Sequence, residues 1–103
     1  MAKAKTTSST AHIPEGATSP WVVGQSYLIR TVTQYVVGRL AWVGPLELLL
    51  EDAAWVADTG RFFDALSTGR LNEVEPFPEP VIVGRSAIAD ATVWTHALPL
   101  SQK

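Results

Sequence analysis

Short runs of apolar residues recur along the chain after residue 25, which predicts strands. β-Branched and aromatic residues dominate residues 26–43. This run is longer than one ordinary strand, so we predict two strands with a bend near Gln34–Val37. Gly38 has no side chain and would permit the tight curvature of a small barrel.

A third strand is predicted after the turn signal Gly44-Pro45. Residues 46–58 begin with alternating Leu and Glu, which fits a strand. A helix stays the alternative, because Leu, Glu and Ala are all good helix formers.

The second half of the chain predicts a short helix and two more strands. Residues 58–59 are suited to be the N-cap of a helix over residues 61–66, which Gly69 would end. Residues 73–80 are acidic and too rich in proline to lie in the middle of a sheet, so we predict a connector. Residues 81–94 contain two short β runs joined by a turn.

The predicted elements therefore amount to five strands and one short helix between the third and fourth strands. Consecutive short strands without a βαβ rhythm indicate a mainly β barrel or sandwich. Residues 1–20 are rich in Ser, Thr, Ala, Lys, Gly and Pro and predict a flexible N-terminal arm. Residues 21–103 then form one domain, with residues 21–24 as the point where the chain joins it.

The composition indicates contacts with other subunits and excludes several kinds of chemical site. Hydrophobic residues make up 47% of the 103 residues and charged residues only 17%, so we expect part of the surface to be hidden against other subunits. The chain has no cysteine, which excludes disulfides, thiolate zinc sites, iron–sulfur clusters and cysteine nucleophiles. The net charge of −2 provides no general basic field for a nucleic acid.

Targeting signals and catalytic constellations are not found in the sequence. No run approaches the roughly 18 apolar residues of a membrane span, and the N-terminus does not have the pattern of a secretory signal. We therefore expect a cytoplasmic or soluble recombinant protein. His12 and His96 are isolated and predict no metal site. Glu51 and Asp52 are neighbours on a predicted strand, where we expect opposite faces and no carboxylate dyad. The sequence predicts neither an enzyme nor a cofactor.

Two segments in order resemble the motifs of the Sm-like (LSm) family of small β-barrels. Residues 37–40 (VGRL) and 48–53 (LLLEDA) are similar to the first Sm motif, in which Gly-x-Leu turns the second strand and Leu-x-Leu ends the third. Residues 81–88 (VIVGRSAI) are similar to the second motif, in which apolar residues lead to a Gly and another apolar strand. Residues 51–62 and 71–78 are most similar to small uncharacterised Sm-like proteins from phage and environmental sequences.

The resemblance spans residues 22–95 and implies a five-stranded, strongly bent Sm-like barrel that works as one subunit of a homo-oligomeric ring. In such a ring the fourth strand of one subunit pairs with the fifth strand of the next, which completes two open edges. Five subunits are expected first, and six or seven next. The residues that would form this ring interface are Val81, Ile82, Val83, Ile88, Ala91 and Val93.

RNA binding is the alternative function that the resemblance implies. Sm-like rings often bind single-stranded, uridine-rich RNA through two loops at the pore. Here residues 42–47 lack the acidic residue and Asn of the first loop, and Gly84-Arg85 has the Gly and the basic residue of the second loop in reverse order. Trp42 could still stack on a base and Arg85 could still contact the RNA.

The strands around the first loop are apolar on both faces, whereas a half-exposed strand should alternate. One explanation is burial by a neighbouring subunit or by the N-terminal arm. The other is a second protein–protein surface, natural or engineered, that builds rings into a larger assembly with a second protein component as a candidate partner. We therefore predict a non-enzymatic structural protein. The second surface would comprise Ala41, Trp42, Val43, Leu46 and Leu49.

Overall fold

The computed structural model describes residues 15–16 and 19–103. Within this part of the chain, six strands form one antiparallel sheet, and the mainly β prediction is confirmed. A single short helix, α1, spans Phe62–Thr68 between the third and fourth strands, as predicted. The strands are β1 (Ser26–Thr31), β2 (Tyr35–Val43), β3 (Glu47–Asp58), β4 (Glu73–Pro76), β5 (Val81–Gly84) and β6 (Ile88–Val93).

The order of the strands places the first and last strands side by side. The sheet runs β4-β3-β2-β1-β6, and β5 also pairs with β3. β4 lies along the second half of β3 and β5 along the first half, so both occupy the same edge. Among the described residues no strand pairing joins β6 to β4 or β5, and the sheet is not closed.

The predicted count of five strands is wrong because part of the predicted connector, residues 73–80, forms β4. Val74 lies opposite Val56 and is buried, while Glu73 and Glu75 point to solvent. Pro76 ends this strand. Proline is tolerated here because an edge strand leaves one row of backbone groups unpaired.

Both faces of the sheet carry a hydrophobic cluster. We call the face of the first cluster the inner face and that of the second cluster, on which α1 packs, the outer face. The inner cluster consists of Tyr27, Ile29, Val36, Leu40, Leu48, Leu50, Ala53 and Val83. The outer cluster consists of Leu28, Val37, Ala54, Val56, Ala65, Leu71, Val74 and Trp94.

The segment after β6 crosses the outer face and reaches β4. Trp94 is buried in the outer cluster, and Leu98 packs against it. His96 Nε2 donates a hydrogen bond to the Leu66 carbonyl at 2.7 Å, since a carbonyl can only accept. Lys103 and Val74 then exchange two backbone hydrogen bonds of 3.0 Å. This segment therefore covers the outside of β4 at Val74.

Only the C-terminal end of helix α1 agrees with the prediction. Gly69 adopts the left-handed conformation with φ 80° and donates its N–H to Ala65, so the predicted stop is confirmed. The N-cap is Arg61, without a side-chain hydrogen bond, so the predicted cap at residues 58–59 is wrong. Asp58 instead accepts a hydrogen bond from Gly60 N–H at 2.8 Å, which closes the turn before the helix.

The predicted arm, residues 1–20, lies outside the described residues except for residues 15–16 and 19–20. Immediately after it, Trp21 packs against the inner cluster and meets the Tyr27 ring edge-on, with ring centroids 4.9 Å apart. The N–H of Val22 donates to the Tyr27 hydroxyl at 2.9 Å. The chain thus joins the sheet at residues 21–22.

Candidate functional site: two open sheet edges and an apolar outer row

β5 leaves alternate backbone groups without a partner in the described chain. Gly84 lies opposite Glu47 in the β5–β3 ladder, and Arg85 N–H donates to the Leu46 carbonyl at 2.9 Å. In an antiparallel ladder the N–H and C=O of every second residue point to the same side. This bond therefore indicates that Ile82 and Gly84 direct their backbone groups away from β3.

β6 has the same open edge at the other end of the sheet. Val93 lies opposite Tyr27, and Trp94 N–H donates to the Ser26 carbonyl at 2.8 Å. The same alternation then directs the backbone groups of Ala91 and Val93 away from β1. No residue of β6 is buried in the single chain.

The six predicted ring-interface residues all lie on these two edge strands. Their side chains divide into two groups. Val83 is buried in the inner cluster, and Val81, Ile88 and Ala91 are partly buried against it. Two side chains face solvent: Ile82 is 68% exposed and Val93 is 47% exposed.

The predicted second surface includes a row of apolar side chains across the outer face. Trp42 lies opposite Leu49 on β3, and Leu49 lies opposite Ile82 on β5. Residues directly opposite each other share a face. We call Trp42, Leu49 and Ile82 the outer row; Trp42 is half exposed and Leu49 is partly buried.

The other predicted members of the second surface lie around this row. Leu46, in the turn between β2 and β3, is 75% exposed. Val43 packs against the inner cluster, and Ala41 is partly buried. Ile82 could not be predicted to belong to this surface, because the register between β3 and β5 depends on where each strand begins.

The two loops of the RNA-binding alternative meet in space. An Arg85 guanidinium nitrogen donates to the Gly44 carbonyl at 2.7 Å, two residues after Trp42. The Trp42 ring covers Gly44 so closely that a Cβ on Gly44 would lie 2.2 Å from it. Arg85 is partly buried and braces the turn between β2 and β3.

A bulge in β3 brings two carboxylates to one arginine. Arg39 donates to Asp52 at 2.7 Å and to Glu51 at 2.9 Å, and these bonds raise the pKa of Arg39, with the Asp52 bond the larger cause. The prediction that Glu51 and Asp52 point to opposite faces is therefore wrong. Asp52 adopts φ 50°, which breaks the strand alternation at this position.

A second ion pair ties the edge strand β6 to β1. Arg30 lies directly opposite Asp90, and its guanidinium forms a two-pronged bond with the Asp90 carboxylate. The hydrogen bond from Arg30 is the main cause that lowers the pKa of Asp90 below its ordinary value of 3.8.

Potential metal-binding groups were sought in residues 15–16 and 19–103. Groups of three or more potential metal ligands are not found there. His96 is bonded to a helix carbonyl, and His12 lies outside the described residues. A groove of about 370 Å³ beside the β1–β2 turn contains Trp55, and its only ionisable side chains are Arg30, which is paired with Asp90, and Tyr35. The described helix is too short to cross a membrane.

No family model, curated protein or solved structure matches this chain. The geometry of its own surface is therefore what indicates a function. Two features stand out in that surface, the open edges of β5 and β6 and the apolar outer row that ends on β5.

Proposed function

We propose that this chain is a non-enzymatic structural protein whose copies assemble into an Sm-like ring. Five copies are favoured, and six or seven are the next candidates. The observation that carries the proposal is the pair of open edges, β5 on one side of the sheet and β6 on the other. A contact between two different edges repeats from copy to copy, and such a contact gives a ring when the rotation closes.

The residues on these edges favour pairing over protection. Soluble proteins usually protect an open edge with lysine, proline, a bulge or a covering segment. β5 has the sequence VIVG, without a charge, and the one charge of β6, Asp90, is paired with Arg30. By contrast, β4 ends in Pro76 and is covered by Lys103 at Val74.

The order of the strands supports the family resemblance. In a ring of the Sm type the last two strands pair between neighbouring copies, so they must lie at different edges of the sheet. Here β6 lies beside β1, and β5 lies on the far side of β3. The turn between them, Arg85–Ala87, is short, so both edge strands follow each other closely in sequence.

A proline at Ala91 tests the ring directly. The N–H of Ala91 points to the open side of β6, so Ala91→Pro should leave the β1–β6 ladder intact and remove a donor that the neighbouring copy needs. We expect the variant to remain folded by circular dichroism and to sediment as a single copy. The matched control Ala91→Ser keeps the N–H and should assemble like the parent. A ring of unchanged size in Ala91→Pro would contradict the proposal.

We further propose that Trp42, Leu46 and Leu49 form a second contact surface that links rings into a larger assembly. Leu46 supports this most, because it is 75% exposed and lies beside the outer row. Leu46→Lys should leave ring size unchanged and abolish any species larger than a ring, whereas Leu46→Met should retain it. Light scattering distinguishes a single ring from a larger species. A parent protein that never forms a species larger than one ring, alone or with a partner, would rule this surface out.

A ring that binds single-stranded RNA is the second candidate. The contact between Arg85 and Gly44 favours it, because it brings the arginine to the loop of Trp42. Titration of labelled oligo-uridine by fluorescence anisotropy decides between the two functions. Salt-sensitive binding that Trp42→Leu weakens would favour RNA. If the chain is a structural protein only, its affinity for oligo-uridine should not differ from its affinity for a polyanion such as heparin.

A further inference from the structure

We infer that the second contact surface takes a basic amphipathic helix of another protein, which lies along the outer row. This inference rests on the second surface proposed above and names the kind of partner that it fits. It follows from the acidic side chains that border the outer row and from the spacing of the row's apolar side chains.

Acidic side chains border the outer row on both sides. Glu47 and Glu51 lie two residues before and two residues after Leu49 on β3, so all three side chains are on the outer face. Glu47 is exposed, while the intervening Leu48 and Leu50 are buried in the inner cluster. An apolar row with a carboxylate on each side therefore crosses β3.

The border at Glu51 stays negative despite a neighbouring arginine. Arg39 is bonded to both Glu51 and Asp52, so two carboxylates share one guanidinium and a net charge of −1 remains. Glu47 adds a second negative charge on the other border. The basic side chain of the adjacent turn, Arg85, is bonded to a backbone carbonyl. The surface therefore favours a partner with positive charge on both sides of an apolar stripe.

The spacing of the outer row favours a helix over an extended segment. Trp42, Leu49 and Ile82 lie opposite one another on the adjacent strands β2, β3 and β5. Neighbouring strands are about 4.8 Å apart and one helical turn rises about 5.4 Å, so a helix across the strands offers about one apolar side chain per strand. Side chains on one face of an extended segment are about 6.7 Å apart and would lose this match. Apolar residues at i, i+4 and i+7 with Lys or Arg on both sides describe the matching helix.

A second copy of the chain fits this surface poorly. Two outer rows packed face to face would bring the acidic borders of both copies together, with Glu47 of one copy near Glu47 or Glu51 of the other. Like charges at such a contact oppose association. Rings would therefore be joined through the basic partner and not directly.

Three designed helical peptides test the inference on the purified chain. The first has a leucine stripe bordered by lysines, the second has the same stripe bordered by glutamates, and the third keeps the lysines but has serines in the stripe. Fluorescence anisotropy of the labelled peptides measures their affinities. We expect the first peptide to bind at least about tenfold more tightly than either of the others, and its advantage over the second to shrink at high salt.

Charge reversal on the protein locates the binding at the outer row. Glu47→Lys should weaken binding of the first peptide about two- to tenfold and strengthen binding of the second, because it reverses one border. The matched control Glu73→Lys makes the same charge change on β4, beside Asp58 at the other end of β3, and should leave both affinities unchanged. Equal effects of the two variants would mean attraction to net charge alone and would overturn the inference.

The outcomes separate this inference from the proposed function. An intact ring in native mass spectrometry that binds none of the peptides at millimolar concentration overturns the inference, as does one that binds the second or third as tightly as the first. Parent rings that associate without a partner, and lose this association in Leu46→Lys, would show that the surface pairs with itself; this result overturns the inference and retains the second surface. A single copy that binds the first peptide and responds to Glu47→Lys as expected overturns the ring and retains the inference.

Discussion

At the scale of single residues, Gly38 allows β2 and β3 to approach each other closely. A Cβ on Gly38 would lie 2.8 Å from the Ala53 Cβ and 3.3 Å from the Leu50 Cβ. Opposite Gly38, the bulge at Asp52 adds one residue to β3. The same bulge lets both Glu51 and Asp52 reach Arg39, so local geometry at two residues sets the shape and charge of this strand pair.

Gly38→Ala should lower the free energy of unfolding by about 1–3 kcal/mol, because the new methyl group overlaps Ala53. Adding Ala53→Gly removes the overlap and should recover part of the loss. Urea unfolding at one fixed protein concentration measures both, since assembly makes stability depend on concentration. An unchanged midpoint in Gly38→Ala would contradict the close approach.

At the scale of elements, β6 depends on β1 for its position. Its side chains are partly or fully exposed, so the ladder to β1 and the Arg30–Asp90 pair hold it in the single chain. The Asp90 carboxylate has its pKa lowered by the Arg30 hydrogen bond. A group with a lowered pKa in the folded state stabilises above its unfolded pKa and loses this effect as the pH falls through its folded value.

The stability difference between the chain and its Asp90→Asn variant should therefore depend on pH. We expect the parent to be the more stable near neutral pH and the two to converge as the pH falls below 3.8, the ordinary pKa of Asp90. Measurement in the Ala91→Pro background separates this effect from assembly. A difference that is the same at neutral pH and well below that value would contradict the role of the ion pair.

The elements predictable from sequence are those whose pattern is local. The β-branched and aromatic residues of β1, β2, β5 and β6 indicate strands, and Gly69 indicates a helix end, because each signal depends only on nearby residues. β4 was not predicted, because its Pro76 is acceptable only at an edge, and which strand is an edge depends on the whole sheet. The pairing of Arg39 with two adjacent carboxylates needed a bulge that strand alternation does not predict.

At the scale of the whole molecule, the edge strands of the sheet differ in whether another segment covers them. The final segment crosses the outer face and covers β4 at Val74. Nothing in residues 15–16 and 19–103 covers β5 at the same edge or β6 at the opposite edge. The candidate interface residues could be chosen from sequence because they lie in short apolar runs. Their division into a ring interface and an outer row could not, because the register of β5 on β3 decides which side chains share a face.

Native mass spectrometry of the purified chain tests most directly whether copies complete each other's edges. We expect one dominant closed species at a small multiple of the 11.1 kDa chain mass, with five copies favoured, and only single copies in Ala91→Pro. A parent chain that stays folded as a single copy at micromolar concentration would show that its edges need no second copy.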